Sequence, residues 1–279
     1  MEHSATKKPA AAVILLGIPF DDYSSYLRGA AEAPPLIRRA LRDEASNMTT
    51  ENGSDLAKEI GWRDDGDLNF DGVTAPVAFI AAEVQRRLAA GAQLCLLGGD
   101  HSVTYPIIRA FGERYLRLNI LHLDAHPDLY DEFQGNRYSH ACPFARILEE
   151  GLAARVVQVG IRSAPEELRR QARRFGVETV GLADWSAAPR VEFSGPVYLS
   201  LDMDVLDPAF APGVSHREPG GLSTREVIGL IQGFAGRLVG ADLVEYNPSR
   251  DTDGQTAAVA GKLLKEILGR LLRDAPASA

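Results

Sequence analysis

A series of short apolar runs, separated by longer stretches of helical periodicity, constrains this chain more than any other feature. The runs are Ala11–Ile18, Gln93–Leu97, Leu118–Asp124, Arg155–Gly160, Val177–Val180, Val197–Asp202 and Leu238–Val244, with a weaker one at Gly61–Leu68. Most lack the in/out alternation of a half-exposed strand. A strand that is apolar on both sides must be covered on both sides, which is the situation of a parallel sheet between two layers of helices. The intervening segments supply those helices: Ala30–Asp43, with Pro34 and Pro35 near its first turn, then Pro76–Ala90, Pro106–Tyr115, Phe144–Gly151, Pro165–Phe175, Val227–Phe234 and a long closing helix Gln255–Arg273. Ser223-Thr224-Arg225-Glu226 has the pattern of a capping box. Alternation of strand and helix implies right-handed crossovers and one open sheet. The expected fold is therefore α/β, a three-layer α/β/α arrangement around a single, mostly parallel sheet of about eight strands.

No Pro/Gly/Ser-rich linker divides the chain, so residues 1–279 read as one domain, with a polar surface loop at Ala45–Lys58 and frayed ends at 1–9 and 275–279. No apolar run is long enough for a membrane span. The apolar stretch Ala10–Ile18 runs into Pro19-Phe20-Asp21-Asp22 without a small-residue cleavage site, so the expected location is cytoplasmic. Cys95 and Cys142 fit a reducing compartment and read as buried packing residues. Cys142 has no matched base that would make it a nucleophile. A net charge of −8 argues against nonspecific binding of nucleic acid and is compatible with a cationic substrate.

In an open parallel sheet, ligands bind beyond the carboxyl ends of the strands. Three segments rich in Asp and His fall at such ends: Gly98-Gly99-Asp100-His101-Ser102, Asp124-Ala125-His126-Pro127-Asp128 and Asp202-Met203-Asp204. Residues two apart on an extended chain point the same way, so Asp124 pairs with His126, and Asp202 with Asp204. Asp124, Asp128, Asp202 and Asp204 crowded together would repel one another unless cations cancelled their charge. Two divalent cations would do so. A lone Asp at a strand end is more often a cap or a turn residue; two compact clusters plus His101 are not. The ligands are oxygen or imidazole nitrogen, with no thiolate, which suits Mn²⁺ and permits Fe²⁺, Co²⁺ or Ni²⁺. Two such metals can share a hydroxide that is nucleophilic at neutral pH.

These segments carry a family resemblance. Gly98-Gly99-Asp100-His101-Ser102, Asp124-Ala125-His126-Pro127-Asp128, Ser200-Leu201-Asp202-Met203-Asp204-Val205-Leu206-Asp207-Pro208, Ala211-Pro212-Gly213 and Pro219-Gly220-Gly221-Leu222 are similar to the motifs of the ureohydrolases, the arginases, agmatinases and related amidinohydrolases. Gly17-Ile18-Pro19-Phe20 and Arg28-Gly29-Ala30 extend the match over most of the chain, and the look is nearest to agmatinases. The resemblance implies an arginase-like fold and a binuclear manganese centre. One metal would take His101, Asp124, Asp128 and Asp202, and the other Asp124, His126, Asp202 and Asp204. It also implies His140 as a proton shuttle, Glu245 as the carboxylate that holds the guanidinium, and a role for Asp204 in stabilising the tetrahedral intermediate. The products would be urea and an amine. The partners implied are a small cationic guanidino substrate and other copies of the chain in a homo-trimer or homo-hexamer, with no nucleic acid and no membrane.

The substrate tail is less determined. Agmatine is favoured; guanidinobutyrate, another small guanidine, arginine and formiminoglutamate are the alternatives. Asp131 and Glu132 in the Leu129–Ser139 loop are candidates for a primary ammonium, although a solvated loop face accounts for them equally well. That loop shows no match to the arginase pattern for an amino-acid head. Ala141-Cys142-Pro143 follows His140 where many relatives carry Gly, and His216 and Arg217 stand where typical agmatinases have small residues and Thr. His216 is a candidate for contact with substrate or with a neighbouring subunit, and equally an ordinary loop histidine. His122 reads as strand interior and His3 as part of the disordered terminus. A dinuclear metallophosphoesterase would need a Gly-Asn-His-type segment, which is absent. A catalytically silent assembly subunit would be expected to have lost a ligand, His140 or Glu245, and all are present.

Overall fold

The computed structural model describes residues 12–182 and 191–276 of the 279. His3 and the expected frayed segment 1–9 lie outside the described residues. The strands are β1 (Val13–Gly17), β2 (Trp62–Asp67), β3 (Gln93–Leu97), β4 (Asn119–Leu123), β5 (Arg155–Val159), β6 (Glu178–Val180), β7 (Glu192–Asp202) and β8 (Ala235–Val244). They form one eight-stranded sheet in the order β2-β1-β3-β8-β7-β4-β5-β6. Every described pairing is parallel. The weak run at Gly61–Leu68 is the edge strand β2, whose polar sequence WRDDGD is only partly buried. Strand β7 begins ahead of its apolar run because its first residues pair with the start of β8 at the exposed end of the sheet.

The helices are α1 (Ala33–Leu41), α2 (Pro76–Ala89), α3 (Thr104–Arg114), α4 (Pro143–Glu149), α5 (Glu166–Phe175), α6 (Thr224–Gly233) and α7 (Gln255–Asp274). Alternate residues of each central strand serve opposite layers. Val13, Leu15, Cys95, Leu97, Leu121 and Leu123 pack under α1, α6 and α7. Ile14, Leu16, Leu94, Leu96 and Ile120 pack under α2, α3, α4 and α5. Each such fully buried aliphatic side chain contributes about 1.5–3 kcal/mol. This is the three-layer α/β/α fold expected from the apolar runs. The capping box forms as read: the Ser223 side chain accepts from the Glu226 amide, and the Glu226 carboxylate accepts from Ser223 N–H. Helix α3 starts before Pro106 because a Pro in the first turn leaves no intrahelical bond unmade. None of the described helices is long and apolar enough to cross a membrane.

The strand order places the chemistry. The chain builds β1, β2 and β3 on one side, passes over to β4, β5 and β6, and returns with β7 and β8 to fill the gap. The direction of winding changes between β3 and β4, and the carboxyl ends of β3, β8, β7 and β4 lie side by side there.

Candidate metal centre and its cavity

Each of these four strands delivers polar residues to the same rim. After β3 the backbone is clamped on both sides: Asp100 N–H donates to Phe20 O at 3.0 Å, and Glu245 N–H donates to Gly99 O at 2.8 Å. Gly99 permits this approach, since a Cβ there would lie 2.0 Å from Phe20 O. The clamp sets His101 at the start of a short 3-10 turn capped by the Asp100 side chain. Asp128 and Glu245 both adopt left-handed backbone conformations, with φ of 51° and 64°. Non-glycine residues held there cost roughly 1–3 kcal/mol, a strain characteristic of functional positions.

His101 is fully buried, and its Nδ1 faces three carboxylate oxygens: Asp128 Oδ2 at 3.0 Å, Asp202 Oδ2 at 3.1 Å and Asp124 Oδ2 at 3.2 Å. It makes a proper hydrogen bond with none of them. A nitrogen nearly equidistant from three acids and aligned with no single one has the geometry of a coordination sphere. The opposite nitrogen supports this. Nε2 lies 3.0 Å from Ser200 Oγ, whose hydroxyl donates to Asp242 Oδ1 at 2.8 Å. Ser200 must therefore accept from Nε2–H, which leaves Nδ1 free to ligate.

A second group adjoins the first. His126 Nδ1 is 2.9 Å from Asp204 Oδ2 and 3.5 Å from Asp124 Oδ1. Asp124 thus turns one oxygen to each histidine. Asp202 faces His101 with Oδ2, while its Oδ1 accepts from Asp204 N–H at 2.8 Å. Asp124, His126 and Asp204 lie close enough together to hold a cation. The electrostatics point the same way. Burial, reinforced by Asp204 and Asp124, pushes the Asp202 carboxyl well above the usual range, and burial likewise raises Asp204. Divalent cations would relieve this repulsion, and the residues fit a binuclear centre.

His122, read from sequence as strand interior, is tied to this centre. Its Nε2 lies 2.7 Å from Asp124 Oδ2. Gln158 Nε2 donates to His122 Nδ1 at 3.1 Å and to Pro127 O at 2.7 Å. The Pro127 carbonyl fixes the orientation of the amide, so His122 Nδ1 is an acceptor and Nε2–H must donate to Asp124. With both ring nitrogens engaged, His122 would support Asp124 rather than ligate, although it lies within the His101–His122–Asp124 group. The ring stacks on Phe144 at 3.8 Å, so His122→Phe should preserve packing while removing the donor. We expect it to weaken Mn²⁺ binding roughly 10–100-fold in calorimetric titration. Unaltered affinity would show that this hydrogen bond does not help hold Asp124.

A cavity of about 250 Å³ opens over the cluster and is lined by His126, Asp128, Asp202, Asp204, His140, Glu245, His216, Glu218 and Ser25, among others. A larger cavity, about 610 Å³, lies between α1 and α7 and is lined by none of the candidate ligands. His140 Nδ1 is 2.8 Å from Glu245 Oε1, and its Nε2 is 2.7 Å from Ser25 Oγ. Burial disfavours charge on His140, but Glu245 overrides it and lifts the imidazole to about 9. Burial likewise opposes charge on Glu245, yet His140 holds its carboxyl below the usual value. Glu245 Oε1 also accepts from His101 N–H at 2.9 Å, while Oε2 accepts no hydrogen bond among the described residues.

Two candidates are placed elsewhere. The Asp131 carboxylate pairs with Arg146 at 2.9 Å and Arg137 at 3.1 Å, and Glu132 is exposed; neither lines the cavity. Arg217 points away, donating to Pro212 O and Arg250 O. Cys142 is buried, donates to Asn136 O, and is pushed up to about 12 by burial. Sequence reasoning missed Ser25, Glu218, Ser200 and Asp242. Ser200 and Asp242 left a trace, as polar residues within otherwise apolar strands.

Comparison with known proteins agrees with this geometry. A family model described as "Arginase family" matches residues 11–269. "Arginase 1, mitochondrial" of Arabidopsis thaliana is 44% identical over 287 residues, covering 94% of this chain and 81% of that protein. The solved structure of arginase from Medicago truncatula superposes with a TM-score of 0.89 at 43% identity, covering 94% of this chain and 88% of that one. A guanidinopropionase of Pseudomonas aeruginosa is 36% identical over 298 residues, covering 100% of this chain and 93% of that protein.

Proposed function

This chain belongs to the arginase family and is a hydrolase of guanidino C–N bonds, and we propose that it releases urea from L-arginine with the help of two Mn²⁺ ions. The motifs pointed first to agmatine. Two findings favour arginine instead: the 44% identity to a plant arginase along nearly the whole chain, and the placement of Asp131 and Glu132, the two candidate acids for agmatine's ammonium, outside the cavity lining, with Asp131 engaged by Arg137 and Arg146. Agmatine is the second reading, on the agmatinase look of Gly17-Ile18-Pro19-Phe20 and Pro219-Gly220-Gly221-Leu222.

The observation that carries the proposal is the convergence of the acid-rich His101 and His126 groups with Glu245 on one cavity. His101, Asp124, Asp128 and Asp202 would hold one ion, and Asp124, His126, Asp202 and Asp204 the other. When bound, the ions supply Lewis acidity and make water nucleophilic at neutral pH. Glu245, anchored through Oε1, offers Oε2 to the guanidinium N–H groups in charge-assisted hydrogen bonds that orient the planar cation. The Glu245 carboxylate favours the protonated form of His140, which suits it to protonate the departing amine.

The test is urea release by the Mn²⁺-loaded protein from arginine, agmatine, guanidinobutyrate and guanidinopropionate. Arginine should show the highest kcat/KM, and a higher value for agmatine would reverse the order of the two readings. Glu245→Gln should lower kcat/KM on every guanidine by roughly 10–150-fold, the equivalent of a hydrogen bond to a charged group. Urea from none of them, with two metals bound per chain, would overturn the proposal.

A further inference from the structure

We propose that His216 is a substrate-positioning residue whose Nε2 accepts a hydrogen bond from an N–H of the bound guanidinium. The role rests on the guanidine reading above. His216 Nε2 is buried and has no hydrogen-bond partner. Proteins pair nearly all such atoms, so an orphan that lines a ligand cavity marks a place where the ligand completes the pairing. The ring lines the cavity that also holds Glu245 and His140. Its centroid is 5.5 Å from that of His140 and 5.9 Å from that of His126, which puts it beside the acid–base residue and the second metal group.

The loop that carries His216 is held on both sides. Before it, Gly213 N–H donates to Thr256 Oγ1 at 2.7 Å and Asn247 N–H to Gly213 O at 2.8 Å. Ser215 Oγ donates to Leu27 O and accepts from Asn247 Nδ2, both at 2.9 Å. After it, the Arg162 guanidinium donates to Glu218 O at 2.6 Å and to Asp204 O at 2.6 Å. The imidazole is thus presented by a braced backbone tied to Asp204 and to the segment after Glu245.

Donor and acceptor counts give the hydrogen bond its direction. A guanidinium offers up to five N–H donors and no acceptor. Glu245 has one oxygen already engaged and one to give. Further acceptors are needed, and a neutral imidazole supplies one. The unpaired, buried Nε2 of His216 is the atom left to accept the hydrogen bond.

The experiment compares His216→Leu and His216→Gln with the unaltered protein, all loaded with Mn²⁺. Metal content, kcat and KM are measured on arginine and agmatine, together with the inhibition constants of ornithine and putrescine, product amines that lack the guanidinium. Leu should lower kcat/KM about 10–100-fold on both substrates alike, since the contact is to the group they share. Gln, which keeps an acceptor, should restore most of it. Metal content and inhibition by the amines should not move. Unaltered kinetics in the Leu variant would overturn the proposal. So would a loss confined to arginine, which would make His216 a reader of the carboxylate, or a loss of metal, which would make its role structural. If the unaltered protein releases urea from no guanidine, the functional reading itself fails, and that outcome is seen before any variant is compared.

Discussion

Asp124→Asn is expected to leave the protein folded, nearly free of Mn²⁺ and without measurable urea release. Asp124 is the residue whose two oxygens face both histidines, Oδ2 toward His101 and Oδ1 toward His126. An asparagine keeps the shape but brings one neutral oxygen and an NH₂ group that cannot ligate. The loss should exceed the roughly 10–100-fold expected for a residue that only supports a ligand, such as His122. Asp202→Asn should show the same loss, since the bridging role implied for Asp202 adds to its place 3.1 Å from His101 Nδ1. Elemental analysis of the purified variants against the unaltered protein is the measurement, and full occupancy in either variant would sink its bridging assignment. A second reading separates ligation from folding. Burial opposes charge on Asp124, but His122 and hydrogen bonds from the neighbouring histidines override it and hold the carboxyl well below the usual range, so the charge is favourable in the metal-free fold. The metal-free Asp124→Asn protein should therefore melt below the metal-free parent while remaining folded.

His140→Ala is expected to keep both metals while kcat falls by roughly 10²–10⁴-fold, the effect of removing one acid–base group. The imidazole touches none of the ligating atoms; its partners are Glu245 Oε1 and Ser25. Glu245 retains the His101 amide on the same oxygen, so its orientation survives the change. KM for the guanidine should consequently move far less than kcat. The two variants differ in kind: the first loses its metal, the second only its turnover. Turnover at the unaltered rate, with both metals bound, would remove His140 from the chemistry.

Much of the centre was readable because an open parallel sheet gathers ligands beyond the carboxyl ends of its strands. Asp124 and His126 were marked by their place just beyond a buried apolar strand, β4, and Asp202 and Asp204 by theirs at the end of β7. Strand alternation itself stops there: His126 lies in a bend and Asp204 in a 3-10 turn, and hydrogen bonds from His126 N–H to Asp124 and from Asp204 N–H to Asp202 set the pairs. Within β4 the alternation could have caught His122, which is two residues from Asp124 and shares its side of the strand. His122 was passed over because a histidine inside an apolar run looks like packing until Gln158, on the neighbouring strand, is seen to set its proton. The apolar runs likewise announced the sheet, since only a strand covered on both faces dispenses with polar alternation. The edge strand β2 was faint because it pairs on one side only and stays partly exposed, so its sequence can be polar.

What the sequence did not hold was which ends would meet. His140 and Glu245 stand 105 residues apart and touch only because β8 returns to lie between β3 and β7. Asp131 looked available in a charged loop, but Arg146 on α4 folds back to take it. His216 read equally as a substrate contact and as an ordinary loop histidine, and nothing in the sequence shows that Ser215, Asn247 and Arg162 brace its loop over the cavity. Local periodicity is written in the spacing of neighbours, because dihedral geometry acts over a few residues. Strand order and loop placement come from packing and hydrogen bonds between distant segments, which no short window of sequence contains.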